Sequence, residues 1–354
     1  MLNSYLVNAK LVISQRFPHL LHERHEYLQS VNHWGLDLAE SLNEFSCRGK
    51  MIRGALVLLG AGLYERPQDE AILDTAAAME LLQSFLLIHD DIMDEDLQRR
   101  GAPSVHARYV AQGVADGYQH TEHLGLSLGI CAGDVSAFLA MDILSRLDCE
   151  DKSLRTLLSM VTQEIISVGV AQMNDVSFGF HPAEVLPHDI REVYRYKTGR
   201  YTFSLPLSLG AVLAGADEGA IARLHEIGEY MGIVFQIKDD EIGLYESGDD
   251  IGKAPGSDVR ENKKTLYRAY LVEAASADER VRLSGIFGNR QLTQDDLAYV
   301  QSRIEAHGIR ERLDTEMDKL TDQARRLIES LDGVDVELRG VLLELLAYNR
   351  ARRR

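Results

Sequence analysis

Two clusters of acidic residues are the part of this sequence best suited to chemistry. The first contains Asp90, Asp91 and Asp94, and the second contains Asp239 and Asp240. Because residues four apart share one face of a helix, Asp90 and Asp94 are expected to point the same way. Magnesium binds through one or two carboxylates and completes its shell with water and phosphate oxygens. Two such faces opposed across a helical cavity would hold a diphosphate group through divalent cations.

Both clusters directly follow apolar runs, at residues 81–88 and 233–237, which are expected to be buried. The carboxylates would then lie at the rim of a core, where they repel one another unless cations neutralise them. Basic residues that could supply part of this charge are Arg99, Arg100, Lys197, Lys253, Lys263 and Lys264. Either cluster alone is also consistent with a solvated helix end or a helix cap.

The composition excludes one broad class of function. The 354 residues carry a formal net charge of −17, so binding to nucleic acid, which needs a basic surface, is not expected. Three widely spaced cysteines, Cys47, Cys131 and Cys149, indicate reduced, buried thiols rather than disulfides. We see neither a signal peptide nor an uncharged apolar run of ~18 residues, and therefore expect a cytoplasmic protein without a membrane span.

Helical periodicity dominates the chain. Helices are predicted over residues 72–90, 124–146, 154–177, 190–213, 218–245 and 264–276, and two more between 293 and 349. Turns are predicted near residues 100–103, 179–188, 246–257 and 278–292. Since no linker rich in Gly, Ser or Pro divides the sequence, the prediction is one all-α domain over residues 1–354.

The chain ends in a basic segment, residues 348–354, which contains four arginines. This segment fits a cationic helix end that is favoured by the helix dipole. It fits equally well a flap that closes over an anionic substrate, so both interpretations stay open.

Seven short motifs follow one another between residues 48 and 265. They are Gly49-Lys50 with Arg53, the run 80–94 with Arg99-Arg100-Gly101, Ala132-Gly133-Asp134, Gln172 with Asp175, Lys197-Thr198-Gly199, the run 235–240, and the basic segment 258–265. In this order they resemble the motifs of the trans-isoprenyl diphosphate synthases, also called polyprenyl synthetases.

The resemblance implies a fold, a reaction and a cofactor. The fold would be of the isoprenoid synthase type, with long antiparallel helices around a central cavity, and members are typically homodimers. The reaction would be a head-to-tail condensation of isopentenyl diphosphate with an allylic diphosphate. It would use about three Mg²⁺ ions per active site, with Mn²⁺ as an alternative.

The resemblance also implies roles for individual residues, which fall into two groups. Those that would hold metal or substrate are Asp90, Asp94, Asp239 and Asp240 for the metal, Arg99, Lys197 and Lys263 for the allylic diphosphate, and Lys50, Arg53, Gln83 and Arg100 for isopentenyl diphosphate. Two further residues, Thr198 and Gln236, would face the allylic cation with their oxygen dipoles. Three others would hold the site residues in place without binding substrate, namely Asp91, Gln172 and Asp175.

Three positions depart from the family pattern. Gly243 stands where the second acidic motif usually has a third aspartate, which suggests that Asp239 and Asp240 carry the second metal site. Gln83 replaces a histidine that many members have near the homoallylic diphosphate. Ala171 stands where glycine is usual before the Gln172 step.

The residues before Asp90 are expected to set product length. Phe85 lies five positions upstream, or ~7.5 Å along the helix axis, and would form a floor, with Leu82 as a second layer. Plain core packing of Phe85 is the alternative. One aromatic here, a non-aromatic Leu86 and no insertion in the first acidic motif resemble the C20-forming arrangement. We therefore predict geranylgeranyl diphosphate, with farnesyl or C25 and longer products as alternatives.

Two other functions share parts of this pattern. A class I terpene cyclase also uses an aspartate-rich magnesium site, but it needs no isopentenyl diphosphate pocket such as Lys50 and Arg53 would make. A catalytically silent regulatory subunit would be expected to have lost acidic positions, whereas this chain keeps both clusters.

Overall fold

The computed structural model describes residues 1–245 and 256–352. It is 80% helical with almost no strands. Within the described residues, the strands are confined to β1 (Gln98–Arg99) and β2 (Ala102–Pro103), which pair antiparallel in a tight hairpin. The predicted all-α fold is therefore confirmed.

Helices follow one another with short connections along the whole described chain. The first seven are α1 (Leu2–His22), α2 (His25–Val31), α3 (Trp34–Cys47), α4 (Ile52–Leu63), α5 (Glu70–Met93), α6 (Val105–Ala115) and α7 (Thr121–Ser145). The middle of the chain contains α8 (Asp151–Phe180), α9 (Pro187–Val193), a π-helix (Tyr194–Ser204), α10 (Leu205–Leu213) and α11 (Glu218–Tyr245). The remainder contains α12 (Ser257–Arg260), α13 (Leu266–Ala274), α14 (Ala277–Ile286), α15 (Gln294–Ala306), α16 (Ile309–Glu329) and α17 (Val336–Ala351).

The chain divides into two compact units. Unit 1 comprises Met1–Ser159, Pro206–Asp217 and Val334–Leu338, and unit 2 comprises Met160–Leu205, Glu218–Gly333 and Arg339–Arg354. The prediction of one domain over the entire chain is not tested by this division and stays a prediction.

Each unit has one helix at its centre. In unit 1, α5 packs against α1, α4 and α7, and Ile72 and Met79 on it are fully buried. In unit 2, α11 packs against the π-helix and α16, and Val234 and Ile237 are fully buried there. The apolar stretches of α5 and α11 thus form core, and each leads directly into one of the acidic clusters.

The predicted helix boundaries agree with the structure for most of the long elements, and the bounds of α11 match the prediction for 218–245. The turn predicted at 278–292 was wrong over its first part, where α14 lies. Ser276 and Glu279 form a capping box that starts this helix, and their polar side chains suggested a turn. Two helices were expected between 293 and 349, but three are present, because Gly308 at φ +65° separates α15 from α16.

Among the helices of the described residues, three are long and apolar enough to cross a membrane by length and composition alone, namely α5, α7 and α8. In α5, 67% of the most apolar stretch is buried inside the fold, whereas the values for α7 and α8 are 39% and 28%. The absence of a membrane span therefore stays a prediction. The three cysteines are free, as expected, but the prediction that they are buried was wrong, because Cys131 is exposed and the other two are half-buried.

Candidate active site

The first acidic motif lies at the carboxyl end of α5. Asp90 is in the last turn, and Asp94 caps the helix, its N–H donating to the Asp90 carbonyl at 2.8 Å. Both side chains are half-buried. The carbonyl end of a helix carries partial negative charge, so two carboxylates there repel each other and the helix dipole. The arrangement favours a bound cation.

Asp91, between them, points into the protein and is 0% exposed. Its carboxylate accepts a hydrogen bond from Arg99 Nε at 2.6 Å, and Arg99 also lies 3.4 Å from Asp96. Burial raises the pKa of Asp91 to about 6, although the Arg99 guanidinium opposes this shift. Arg99, which was predicted to hold the allylic diphosphate, is therefore engaged with Asp91 in this structure.

The second acidic motif shows the same division between its two aspartates. The Asp239 side chain is 51% exposed, and its carboxylate accepts a hydrogen bond from Arg352 Nη2 at 2.8 Å. The Arg352 guanidinium also lies over the Phe235 ring, 4.1 Å from its centroid. The Asp239 carboxylate is thus already paired with a cationic guanidinium group. Of the basic C-terminal segment, Arg353 and Arg354 lie outside the described residues.

Asp240 is buried and belongs to a hydrogen-bonded chain of side chains. The Tyr194 hydroxyl and Gln236 Nε2 both donate to its carboxylate, the latter at 3.0 Å. The Thr198 hydroxyl in turn donates to Gln236 Oε1 at 2.9 Å. Burial, together with the charges of Asp258 and Asp239, raises the pKa of Asp240 well above its ordinary value. Its acceptor atoms therefore serve Tyr194 and Gln236.

The π-helix presents Lys197 and Thr198 on one wide turn. Lys197 Nζ donates to Asp175 of α8 at 2.6 Å, and half-buried Gln172 lies one turn earlier on that helix. The π-helix approaches α11 so closely that a Cβ at Gly232 would overlap the backbone of Gly199. Single stretches of π-helix recur at functional sites. Helical periodicity predicted residues 190–213 as one regular helix and had no signal for this widening.

The two lysines of the basic segment after α12 lie beside acidic residues outside the second motif. Lys263 Nζ lies 3.3 Å from Glu261 and its side chain is 32% exposed. Lys264 is buried beside Glu184. The predicted contribution of Lys253 lies outside the described residues.

A cluster of basic groups forms in unit 1, between the start of α4 and the β1–β2 hairpin. Lys50 is exposed and Arg53 is half-buried. The hairpin turn, with Arg100 at φ +55°, brings the Arg100 guanidinium over Gly49, where a Cβ would meet Nη1 at 2.6 Å. The structure thus brings together three of the residues predicted to bind isopentenyl diphosphate.

Gln83 is half-buried on α5, one turn after a buried acid, Glu80. Glu80 accepts a hydrogen bond from the Gly54 N–H at 2.8 Å. The sequence motif contains Glu80, but we did not predict a role for it. Its position in an otherwise apolar stretch of α5 is the signal that could have indicated one.

The predicted floor residues lie on α5 upstream of Asp90. Leu82 is 1% exposed, and Phe85 is half-buried. The Phe85 ring packs edge-on against His89 with centroids 5.0 Å apart. His89 Nε2 is 3.1 Å from the Ile130 carbonyl of α7, so His89 is a packed, hydrogen-bonded residue.

The polyprenyl synthetase family model matches residues 37–304. The chain belongs to the polyprenyl synthetase family. The family predicted from the seven motifs is confirmed, and this polyprenyl synthetase is accordingly a prenyltransferase.

Individual relatives agree with this membership. The chain is 29% identical over 318 residues to the geranylgeranyl diphosphate synthase of Sulfolobus acidocaldarius, covering 89% of this chain and 90% of that one. It is 30% identical to the geranylfarnesyl diphosphate synthase of Aeropyrum pernix, with 87% and 92% covered. The crystal structure of a Corynebacterium glutamicum geranylgeranyl pyrophosphate synthase, complexed with isoprenyl diphosphate and magnesium, matches with a TM-score of 0.90 and 28% identity, over 98% of this chain and 99% of that one.

The donor set of this polyprenyl synthetase suits a hard cation that also binds substrate. Across residues 1–245 and 256–352, no three His, Cys, Asp or Glu side chains lie close enough together to form a metal site by themselves. Magnesium typically takes only one or two carboxylates and shares the rest of its shell with phosphate oxygens. The carboxylates of Asp90 and Asp94 in unit 1, and that of Asp239 in unit 2, which accepts a hydrogen bond from Arg352, are each of the chemical type that suits this mode of binding.

Proposed function

We propose that this polyprenyl synthetase condenses isopentenyl diphosphate with an allylic diphosphate, head to tail, and that its main product is geranylgeranyl diphosphate. One observation supports this most strongly. In each acidic motif the first aspartate reaches the surface, and the next residue is an aspartate that is buried and hydrogen-bonded to neighbouring side chains. In each motif, therefore, one carboxylate can bind metal while the neighbouring carboxylate is held inside the protein by hydrogen bonds.

We propose about three Mg²⁺ ions per active site, with Mn²⁺ as a substitute, held by Asp90, Asp94 and Asp239 together with the substrate diphosphate. The metal would neutralise the negative charge that builds on the departing diphosphate. Asp240 was predicted as a metal ligand, but its burial and its two donors support a positioning role instead.

The allylic substrate loses its diphosphate by heterolysis of the C–O bond, which leaves an allylic cation. Lys197 and Lys263 would hold the departing phosphate oxygens, joined by Arg99 if it exchanges part of its contact with Asp91. The Thr198 hydroxyl oxygen and Gln236 Oε1 present negative dipole ends that would stabilise the cation. Their orientation is set by the hydrogen bonds that lead to Asp240.

Isopentenyl diphosphate would bind at the basic cluster of Lys50, Arg53 and Arg100, with Gln83 alongside. The electron pair of its double bond forms the new bond to C1 of the allylic cation. The resulting tertiary cation loses a proton from C2 of the isopentenyl unit, and the released diphosphate accepts it. Every atom and charge is then accounted for without a nucleophilic side chain.

The product length is proposed to be set by Phe85, with Leu82 beneath it. Replacing the aromatic ring in Phe85→Ala should open the floor and shift the main product from C20 to C25 or longer. Mass spectrometry of the extracted diphosphates would measure this. Leu87→Ala is the matched control, because residue 87 lies about 200° around the helix from residue 85. A Phe85→Ala variant that still stops at C20 would assign Phe85 to core packing.

The reaction itself is tested by incubating the purified protein with isopentenyl diphosphate, a labelled allylic primer and Mg²⁺. Extension of the primer by five-carbon units supports the synthase. A cyclic hydrocarbon from the primer alone would indicate a terpene cyclase. No turnover until a second protein is added would indicate a regulatory subunit. The chain length separates geranylgeranyl from farnesyl and longer products.

We also propose a homodimer in the cytoplasm. The support is a stripe of exposed apolar side chains on α8, at Ile166, Val170 and Met173, and a second patch on α7 at Ile130 and Phe138. The spacing of the α8 residues places them on one face, and such patches mark protein interfaces. These faces also contribute to the apolar character of α7 and α8. Sedimentation equilibrium should give twice the chain mass of 39.6 kDa, and a concentration-independent monomer would refute the dimer.

A further inference from the structure

Glu80 is a buried carboxylate that the proposed reaction does not use. It lies in the middle of α5, only 4% exposed, between Met79 and Leu81, which are also buried. A buried carboxylate is costly unless it is paired and hydrogen-bonded. Burial raises the pKa of Glu80, and the Gly54 N–H and the charges of Arg53 and Arg100 oppose that shift.

The first contacts of Glu80 are with the start of a neighbouring helix. Its carboxylate accepts the N–H of Gly54 at 2.8 Å and also that of Arg53. These donors belong to the first turn of α4, where the N-cap residue is Met51, which has a left-handed backbone and no side-chain cap. Helix N-termini favour a nearby negative charge. Glu80 therefore supplies, from another helix, the acceptor that the α4 N-terminus lacks.

The second set of contacts is electrostatic. The positive charges of Arg53 and Arg100 are both close enough to lower the pKa of Glu80. These two residues approach from different elements, Arg53 from α4 and Arg100 from the turn between β1 and β2, and two guanidinium groups repel each other. A fixed anion between the elements that carry them offsets this repulsion, while the accessible donors can still face a substrate.

We propose that Glu80 is a positioning residue of the isopentenyl diphosphate site: it anchors the first turn of α4 and holds Arg53 and Arg100 in place for the homoallylic diphosphate. The inference rests on the proposed function and adds to it a residue that touches no substrate. Glu80 acts by fixing the backbone of Arg53 and by balancing the charge of both arginines.

Net charge and positioning predict opposite effects of removing Glu80 on the affinity for isopentenyl diphosphate. Glu80 carries negative charge beside a site for a diphosphate, so its removal should strengthen the attraction for that anion if net charge alone mattered. If Glu80 positions the donors, its removal should weaken binding, because misplaced hydrogen-bond donors lose their alignment with the phosphate oxygens. The two explanations therefore predict changes of opposite sign in the affinity for isopentenyl diphosphate.

The test is Glu80→Gln, which keeps an oxygen for the Gly54 N–H but removes the charge. We expect the KM for isopentenyl diphosphate to rise on the order of tenfold to a hundredfold, in the range that a lost charged hydrogen bond gives. The KM for the allylic primer should change by less than about twofold, since that substrate binds elsewhere. Glu80→Asp, which keeps the charge but is shorter, should recover part of the lost affinity.

The matched control is Asp74→Asn on the same helix. Asp74 forms an ion pair with Arg16 at 2.5 Å and has no place in the proposed site, so its loss should leave both KM values unchanged. An unchanged or lower KM for isopentenyl diphosphate in Glu80→Gln, or an equal rise for both substrates, would overturn the proposal. If Glu80→Gln does not fold, the same comparison is made with Glu80→Asp, and an unchanged isopentenyl diphosphate KM there overturns it.

Calorimetric titration with isopentenyl diphosphate alone separates this inference from the proposed function. A wild-type protein that does not extend any primer refutes the proposed reaction. Titration still decides about Glu80, because weaker binding by the Glu80 variants than by wild type supports positioning. Equal binding, or no binding by wild type, refutes it.

Discussion

Each of the two acidic motifs has a more exposed aspartate followed by a buried one, but the buried aspartate is hydrogen-bonded to different kinds of side chain in the two motifs. In the first motif Asp90 is half-buried while Asp91 is fully buried, and in the second Asp239 is exposed while Asp240 is buried. Asp91 is held by a cation, Arg99, whereas Asp240 is held by two neutral donors, Tyr194 and Gln236.

This difference explains the different pKa shifts. A neighbouring positive charge favours the ionised form, so the pKa of Asp91 is raised only to about 6 despite complete burial. Neutral donors compensate burial less well, and the charges of Asp258 and Asp239 add repulsion, so the pKa of Asp240 is raised much further from its ordinary value. Two adjacent aspartates in such a motif are therefore not chemically equivalent.

The largest effect is expected when the accessible acid of either motif is removed. Asp90→Asn and Asp239→Asn should each lower turnover by on the order of 10³-fold, because each would remove a carboxylate that is proposed to bind the metal ions on the diphosphate. Steady-state rates measured over a range of Mg²⁺ concentrations would check this. Asp116→Asn, an exposed acid after α6, is the control. Wild-type turnover in either variant would remove that motif from the site.

A smaller and unequal effect is expected for the buried acids. Asp91→Asn leaves Arg99 without its main anion, so kcat/KM for the allylic substrate should fall about ten- to fiftyfold. Asp240→Asn replaces a group already held by neutral donors and should cost only about one hydrogen bond, or less than about tenfold. Parallel kinetics on the two variants measure the ratio. Equal losses would contradict the proposed difference between the motifs.

A comparably small effect is expected at Gly243, which corresponds in position to Asp94 of the first motif. A Cβ at Gly243 would lie 3.1 Å from Asp258 Oδ2, so Gly243→Asp adds a carboxylate beside an existing one. Because like charges repel, activity should fall roughly three- to tenfold and Mg²⁺ affinity should not improve. Gly243→Asn, equal in size but neutral, should lose less. A Gly243→Asp variant with tighter Mg²⁺ binding would contradict this expectation, because it would show that a third aspartate can bind metal at this position.

Much of this site could be predicted because local patterns determine it. The apolar runs before Asp90 and Asp239 specify buried helices, and their ends fix where the carboxylates emerge. The motif around Lys50, Arg53 and Arg100 also predicted residues that the fold of unit 1 brings together. In these cases spacing along a helix, or between a helix and a short turn, is sufficient.

The features that were not predicted depend on tertiary contacts. The π-helix has no periodicity signal of its own and accompanies the close approach of Gly199 and Gly232. Which aspartate of each pair is buried depends on partners 8 and 46 residues away in sequence, Arg99 and Tyr194. The contact of Arg352 with Asp239 spans 113 residues, and neither reading of the basic C-terminus specified it.

The proposed reaction requires that Asp90 and Asp239, which lie in different parts of the chain, bind metal ions on the same diphosphate. This requirement is tested by a double-mutant cycle on the single-turnover rate, using Asp90→Asn, Asp239→Asn and the double variant with enzyme in excess over primer. Groups that act as one unit are strongly non-additive. We predict that the double variant is slower than the slower single variant by no more than about tenfold. Rate losses that multiply in full would mean that the two aspartates act independently, and would rule out a shared diphosphate.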